Sequence, residues 1–79
     1  MNFPIYRRLK NGKSYYIILA ADRMKEYQKL GKNWLVHEIH AKILPERLLI
    51  SDIIENLDGQ YENSSAAEFV EVIGPIANN

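Results

Sequence analysis

Hydrophobic and polar residues alternate on both sides of an Asn-Gly pair near the start of the chain. Asn11-Gly12 between two such segments is the strongest short-range signal for a β-hairpin, because both residues tolerate the positive φ of a type I′ turn. A two-residue turn would also set Lys10 opposite Lys13. Because like charges repel across a ladder, a wider turn remains an alternative.

The hairpin register determines which side chains face one another. Counting back from a two-residue turn pairs Arg8 with Tyr15 and Arg7 with Tyr16, on opposite faces of the sheet. Each pair permits a contact between a guanidinium and an aromatic ring, worth roughly 0.5–1 kcal/mol at an exposed site. The run from Tyr15 to Leu19 is bulky on both faces, so we predict that the second strand is central in its sheet.

The segment after the second strand has apolar residues three positions apart, which indicates a helix. Met24, Tyr27 and Leu30 form this thin apolar stripe. Asp22 suits the N-cap of such a helix, and Gly31 suits the position after its end. We therefore predict a weakly amphipathic helix that lies across one sheet face.

A period of two returns between Trp34 and Ile43 and predicts a third strand. One face carries Leu35, His37, Ile39, Ala41 and Ile43, and the other carries Trp34, Val36, Glu38, His40 and Lys42. We expect the first face to be mainly core and the second to be mainly solvent or an interface. Pro45 ends the strand because it lacks a backbone N–H. Both a parallel and an antiparallel placement of this strand remain open.

Pro45 also suits the first turn of a second helix. The wide apolar face of this helix consists of Leu49, Ile50, Ile53, Ile54 and Leu57. An alternative start is Ser51, with residues 48–50 extended before it. Asp58-Gly59 ends the helix in both cases.

A capping box opens the last predicted element. Ser65 and Glu68 have the spacing in which a hydroxyl and a carboxylate satisfy the free N–H groups of a helix N-terminus. Residues 69–73 are β-branched or aromatic except for Glu71, so a short edge strand is a close rival to the helix that we favour. Gly74-Pro75 ends this element, and we expect the last few residues to be frayed.

These elements predict a single domain over residues 1–79 of the α+β class. It would contain a three-stranded, mainly antiparallel sheet (the N-terminal hairpin plus one strand) and about three helices, in the order β-β-α-β-α-α. The chain of 79 residues, 47% of them hydrophobic, is sufficient for one small core. The absence of cysteine excludes disulfides, and no apolar run follows a basic start, so we expect a cytoplasmic protein without a membrane segment.

Net charge is zero, but the charges are unevenly distributed. Residues 1–42 carry a net charge of +6 and residues 43–79 a net charge of −6. Such asymmetry is typical of electrostatic function, or of two halves that pack together and neutralise one another. We favour the second explanation.

His37-Glu38-Ile39-His40 is the segment that most resembles a catalytic or metal motif. On a strand, His37 and His40 point to opposite faces and do not chelate one metal ion. Glu38 and His40 share a face and are expected to form a surface pair. A small enzyme that uses His37 or His40 is our third-ranked function, and we expect no cofactor and no metal.

Basic and aromatic residues are interleaved on the predicted hairpin. Cations flank rings there, with further members on a neighbouring strand: Arg7, Arg8, Lys10, Lys13, Tyr6, Tyr15, Tyr16, Lys32 and Trp34. Proteins that bind single-stranded nucleic acid use such surfaces to stack bases and neutralise phosphates. A net charge of zero argues against this function, so binding of nucleic acid or another polyanion through residues 6–16 ranks second.

Apolar area that the helices leave uncovered supports the first-ranked function. A sheet whose central strand is bulky on both sides needs cover on both faces, and a second copy or a protein partner would provide it. We predict a non-catalytic protein-interaction or self-associating module, with a homodimer as the simplest assembly. The candidate binding residues are Arg7, Arg8, Tyr15, Tyr16, Trp34 and His40.

Two stretches carry a resemblance. Residues 11–18 (NGKSYYII) and residues 41–47 (AKILPER), followed by Ile50-Ser51-Asp52, are similar to short uncharacterised bacterial proteins with no assigned function. The resemblance covers about two thirds of the chain and contains no diagnostic motif. It implies a bacterial protein and no particular activity.

Overall fold

The computed structural model describes residues 2–74 and has an α+β architecture. Its elements, in chain order, are β1 (Ile5–Leu9), β2 (Ser14–Ala20), β3 (Arg23–Leu30), β4 (Asn33–His40), α1 (Leu44–Glu55), β5 (Tyr61–Asn63) and α2 (Ala66–Val72). The strands form one antiparallel sheet in the order β4-β3-β2-β1-β5. The α+β class is confirmed, whereas the predicted three-stranded sheet with about three helices is wrong. The predicted end at Pro75 and the predicted fraying concern positions outside the described residues.

The first hairpin has the predicted register but a different turn. Arg7 lies opposite Tyr16 and Arg8 opposite Tyr15. The turn is wider than two residues, because the Gly12 N–H donates to the Leu9 carbonyl at 2.9 Å. Gly12 has a φ of +74°, whereas Asn11 is not in the positive-φ region that a type I′ turn requires of both residues.

β3 replaces the first predicted helix. The pairing of Ala20 with Arg23 and of Leu30 with Asn33 leaves two-residue turns at 21–22 and 31–32, so residues 14–40 form three consecutive antiparallel strands. Met24 and Tyr27 are both buried, but three positions along a strand reverse the side, so they enter different faces of the sheet. In this segment, the spacing of three between buried residues therefore reflects a strand that is covered on both faces, and not the apolar stripe of a helix.

A helix covers part of each sheet face. On the α1 face, the buried cluster consists of Tyr16, Ile18, Met24, Ala41, Ile50 and Ile53. On the α2 face, the buried cluster consists of Tyr15, Tyr27 and Phe69, with Tyr6, Ile17, Trp34 and Ile73 packed against it. β2 contributes to both clusters, which accords with its predicted central position.

Both helices follow their local signals at the start, and α1 departs from them at its end. α1 begins around Pro45, so the alternative start at Ser51 is wrong, and it ends at the left-handed Asn56 rather than at Asp58-Gly59. α2 is a helix and not an edge strand. The Ser65 Oγ accepts a hydrogen bond from the Glu68 N–H at 3.1 Å, as the capping box predicts.

The positions of β4 and β5 at the two edges of the sheet were not foreseen. β4 ends at His40, three residues before the predicted end, and pairs with β3 in an antiparallel ladder. Its expected core face is largely open, since Leu35 and His37 are exposed. β5 is a three-residue strand that pairs with β1 where the sequence indicated a loop.

Candidate functional site

Arg7 and Arg8 lie on opposite faces of the sheet. Arg7 contacts a backbone carbonyl of α1, and Arg8 contacts carboxylates of β5 and α2. The Arg7 guanidinium donates to the Tyr6 carbonyl at 3.2 Å and reaches the Ile54 carbonyl in the last turn of α1 at 3.5 Å. Cations are favourable at a helix C-terminus, so Arg7 helps to hold α1 on the sheet. Arg8 forms ion pairs with Glu62 of β5 and, at 3.5 Å, with Glu68 of α2.

Tyr15 and Tyr16 are core residues of the two faces. Tyr15 packs edge-to-face against Phe69 and Trp34 at centroid distances of 5.2 and 5.6 Å, and Tyr16 packs in the same way against Tyr61 at 5.6 Å. Burial, followed by the charge of Glu26, raises the pKa of Tyr16 to about 12. Both rings are too buried to stack on a nucleic-acid base.

Trp34 is a half-buried residue of β4 on the α2 face. One side of its indole contacts Tyr15, and the Lys29 Nζ lies 5.8 Å from the ring centroid. This distance is within the range of a cation–π interaction. The cation beside the Trp34 ring is therefore Lys29 and not an arginine of the hairpin.

His40 lies at the exposed end of β4. Its Nε2 is 3.3 Å from the Glu38 Oε1, which is the surface pair that the strand alternation predicts. His37 points to the opposite sheet face, across from Glu26 in the ladder. The two histidines therefore do not converge on one substrate atom or one ion.

β4 is a long strand at one edge of the sheet. Among the described residues, no other strand is hydrogen-bonded to its outer side. We call this outer side, over Asn33–His40, the β4 edge. Its register against β3 is unbroken over eight pairs. Leu35 and Val36, at its centre, are 43% and 47% exposed on opposite faces. The alternation of this segment was visible in the sequence, but its position at an edge was not.

Lysines converge on one end of the α2 face. The Lys29 N–H donates to the Lys13 carbonyl at 2.9 Å, so Lys13, just before β2, lies opposite Lys29 of β3. Lys29 also faces Trp34 across β3 and β4, and Lys32 lies in the adjoining turn. We call Lys13, Lys29 and Lys32 the lysine row. The sequence did not indicate it, because the spacing of Met24, Tyr27 and Leu30 predicted a helix for the segment that contains Lys29.

A cavity of about 360 Å³ lies between the end of α1 and β5. Its lining consists of Leu49, Asp52, Asn56, Leu57, Asp58, Gln60 and Tyr61. The Asn56 amide forms two hydrogen bonds with the backbone of Tyr61. Burial, followed by the charge of Asp52, raises the pKa of the Tyr61 hydroxyl, so this phenol is a poor acid at neutral pH. The lining therefore suits packing better than proton transfer.

Residues 2–74 contain no group of three or more acidic or imidazole side chains arranged to hold a metal ion. In the same part of the chain, neither helix has the length and apolar character needed to cross a bilayer. No protein-family model matches the chain, and neither a curated protein nor a solved structure is similar enough to match it. The resemblance to short bacterial proteins stays a prediction.

Proposed function

We propose that this chain is a non-catalytic, self-associating module in which the β4 edges of two copies pair and continue the sheet. The observation that carries this proposal is the unprotected state of the β4 edge. An exposed strand edge presents unpaired N–H and C=O groups that template pairing with another strand. A second copy of the chain supplies a strand of equal length.

Most of the protective features that soluble proteins place on free strand edges are missing from β4, although it carries one carboxylate, Glu38. Short length, proline, bulges and lysine side chains are the usual means of blocking an edge. β4 has eight residues, an unbroken register, no proline and no lysine. The opposite edge shows the contrast, because β5 has three residues and its Glu62 is held by Arg8.

Charge complementarity favours a second copy in one particular register. Two antiparallel β4 strands related by a two-fold axis at Val36 would place Trp34 opposite the partner's Glu38. Glu38 would then lie beside the partner's Lys29, which rests on that indole. A register centred on Glu38 would instead oppose two carboxylates, and one centred on His37 would set Val36 against a carboxylate.

Sedimentation velocity over a concentration series from about 10 µM to about 1 mM tests the pairing. A single-strand interface is small, so we expect a dimer with an affinity in the micromolar range or weaker. Val36→Lys should abolish the dimer, because it places an ammonium group on each side of the two-fold axis. Val70→Lys is the matched control, since Val70 is 55% exposed on α2, away from the sheet edge.

Three outcomes would refute the proposal. The first is a wild-type chain that stays monomeric at the highest concentration. The second is equal loss of dimer in Val36→Lys and Val70→Lys, which would reflect net charge alone. The third is a Val36→Lys chain that still dimerises while its circular dichroism shows an intact fold.

A further inference from the structure

We infer that the lysine row (Lys13, Lys29 and Lys32), together with Trp34, binds a single strand of nucleic acid at the end of the α2 face. This surface borders the β4 edge and shares Trp34 with it, but its three lysines come from β3 and from the two turns at the same end of the sheet. It also differs from the hairpin surface that the sequence indicated, whose tyrosines are buried.

The lysine row brings like charges together at a cost to the fold. Lys13 and Lys29 are cross-strand neighbours, and like charges directly opposite one another are destabilising. Within residues 2–74, none of the three lysines takes part in a recorded ion pair, and all three are exposed. An anionic ligand would offset the repulsion that the chain itself leaves uncompensated.

The anions of such a ligand would be spaced along a chain. Lys13 and Lys29 lie opposite one another on chain segments about 5 Å apart, and Lys32 lies beyond Lys29 in the turn after β3. The three therefore form an extended row rather than a pocket around one ion. A backbone of successive phosphates matches an extended row of cations.

Trp34 distinguishes nucleic acid from other polyanions. Its indole is partly exposed at the end of the row and carries Lys29 beside its ring. Single-strand binding proteins combine a cationic track with an aromatic ring on which a base stacks. A base that stacks on the open part of the indole would bring its phosphate next to Lys29.

Binding of a fluorescein-labelled oligo-dT of about 12 nucleotides, measured by anisotropy, tests the inference. If three phosphates are neutralised, the affinity of the wild type should fall about 20-fold between about 50 and about 200 mM salt. For Lys13→Gln combined with Lys29→Gln, the affinity should already be lower at the lower salt concentration. Its further fall with salt should be only about three-fold, because one phosphate contact remains.

Arg23→Gln combined with Lys42→Gln is the matched control. Both residues are exposed at the opposite end of the sheet, and the change in net charge is the same. This variant should keep the wild-type affinity and salt dependence. Because Trp34 is the only tryptophan, quenching of its fluorescence should accompany binding of oligo-dT but not of inorganic polyphosphate.

The inference is wrong if oligo-dT does not bind at the lower salt concentration. It is also wrong if the control variant weakens binding as much as the lysine variant, since net charge would then explain the effect. Equal affinity for polyphosphate, together with no quenching of Trp34 by oligo-dT, would exclude the base contact and with it the assignment to nucleic acid.

Discussion

Asn56 and Tyr61 exchange two hydrogen bonds across the loop between α1 and β5. The Asn56 Nδ2 donates to the Tyr61 carbonyl at 2.8 Å, and the Asn56 Oδ1 accepts from the Tyr61 N–H at 3.0 Å. The amide thus imitates the backbone of a neighbouring strand. Asn56 also has a φ of +53°, a region that asparagine tolerates better than most residues, so one side chain ends α1 and starts β5.

Substitutions at Asn56 should separate these two contributions. Asn56→Gly keeps the positive φ but loses two hydrogen bonds, at a cost of about 1–3 kcal/mol in the free energy of unfolding. Asn56→Ala should cost about 1 kcal/mol more, because alanine is strained in the left-handed region. Urea denaturation followed by Trp34 fluorescence measures both. If Asn56→Gly is as stable as the wild type, the amide contributes nothing to the connection.

Phe69 is the residue through which α2 attaches to the sheet, so its truncation should be severe. Its ring is fully buried, with centroids 5.2 Å from those of Tyr6 and Tyr15 and 5.8 Å from that of Tyr27. Phe69→Ala should lower the free energy of unfolding by about 3–5 kcal/mol, a large part of the stability of a small domain.

Two further substitutions keep the Phe69 prediction testable if Phe69→Ala does not fold. Phe69→Leu retains most of the buried volume and should give a folded chain with a smaller loss. Val70→Ala, at the exposed neighbouring position, should change stability by less than about 0.5 kcal/mol. Thermal unfolding that ranks Val70→Ala as the more damaging change would contradict this account of α2.

Stability should fall at alkaline pH because the tyrosines are buried in their neutral form. The pKa of Tyr16 is raised to about 12, and burial also raises the pKa of Tyr15, Tyr27 and Tyr61. An unfolded tyrosine loses its proton near pH 10, before the folded one does. The contribution is therefore present in full below about pH 10 and is lost as pH rises towards about 12.

Tyr16→Phe isolates the contribution of one hydroxyl to this alkaline transition. Urea midpoints between about pH 8 and about pH 12 should decline less steeply for the variant than for the wild type, because one of the titrating groups is gone. Absorbance of tyrosinate, recorded in parallel, reports when the hydroxyls ionise. Identical midpoints for both proteins at every pH would show that Tyr16 does not titrate differently in the folded chain.

Disulfide trapping should reveal the register of the proposed β4 pairing. The chain lacks cysteine, so each single-cysteine variant is unambiguous. With the two-fold axis at Val36, the two copies of Val36→Cys would have their Cα atoms about 5.5 Å apart, within the range of a disulfide. Leu35→Cys and His37→Cys would place theirs roughly 8 Å apart and should crosslink poorly.

The crosslinking pattern, read from non-reducing gels, can contradict the register. Preferential crosslinking of His37→Cys would move the axis to the neighbouring position. Equal yields from all three variants would indicate random collisions and no defined pairing.

Several local features of the fold could be predicted from neighbouring residues alone. The pairing of Arg8 with Tyr15 follows from the turn at Asn11-Gly12 and the alternation beside it, even though the turn is wider than type I′. The start of α2 follows from Ser65 and Glu68 because the capping hydrogen bond lies within one helical turn. Such signals operate over a few residues, so they persist whatever the rest of the chain does.

The candidate site was only partly predictable. The face shared by Glu38 and His40 and the placement of Arg7 and Arg8 on opposite sides follow from the period of a strand. Which of these side chains remain accessible depends on where α1 and α2 pack, and that packing buries Tyr15 and Tyr16. The lysine row depends on β3 being a strand, which the spacing of Met24 and Tyr27 concealed.

Contacts between nearby residues account for the first hairpin register and for the favoured helix starts around Pro45 and at Ser65, all of which were predicted from the sequence. The packing of distant segments, in contrast, is what makes residues 23–30 a strand, pairs β5 with β1 and leaves β4 at an open edge. The reason is that a strand covered by a helix on each sheet face has buried apolar residues on both sides, so its sequence lacks the simple alternation of apolar and polar residues. Burial by distant segments outweighs the modest differences in local propensity.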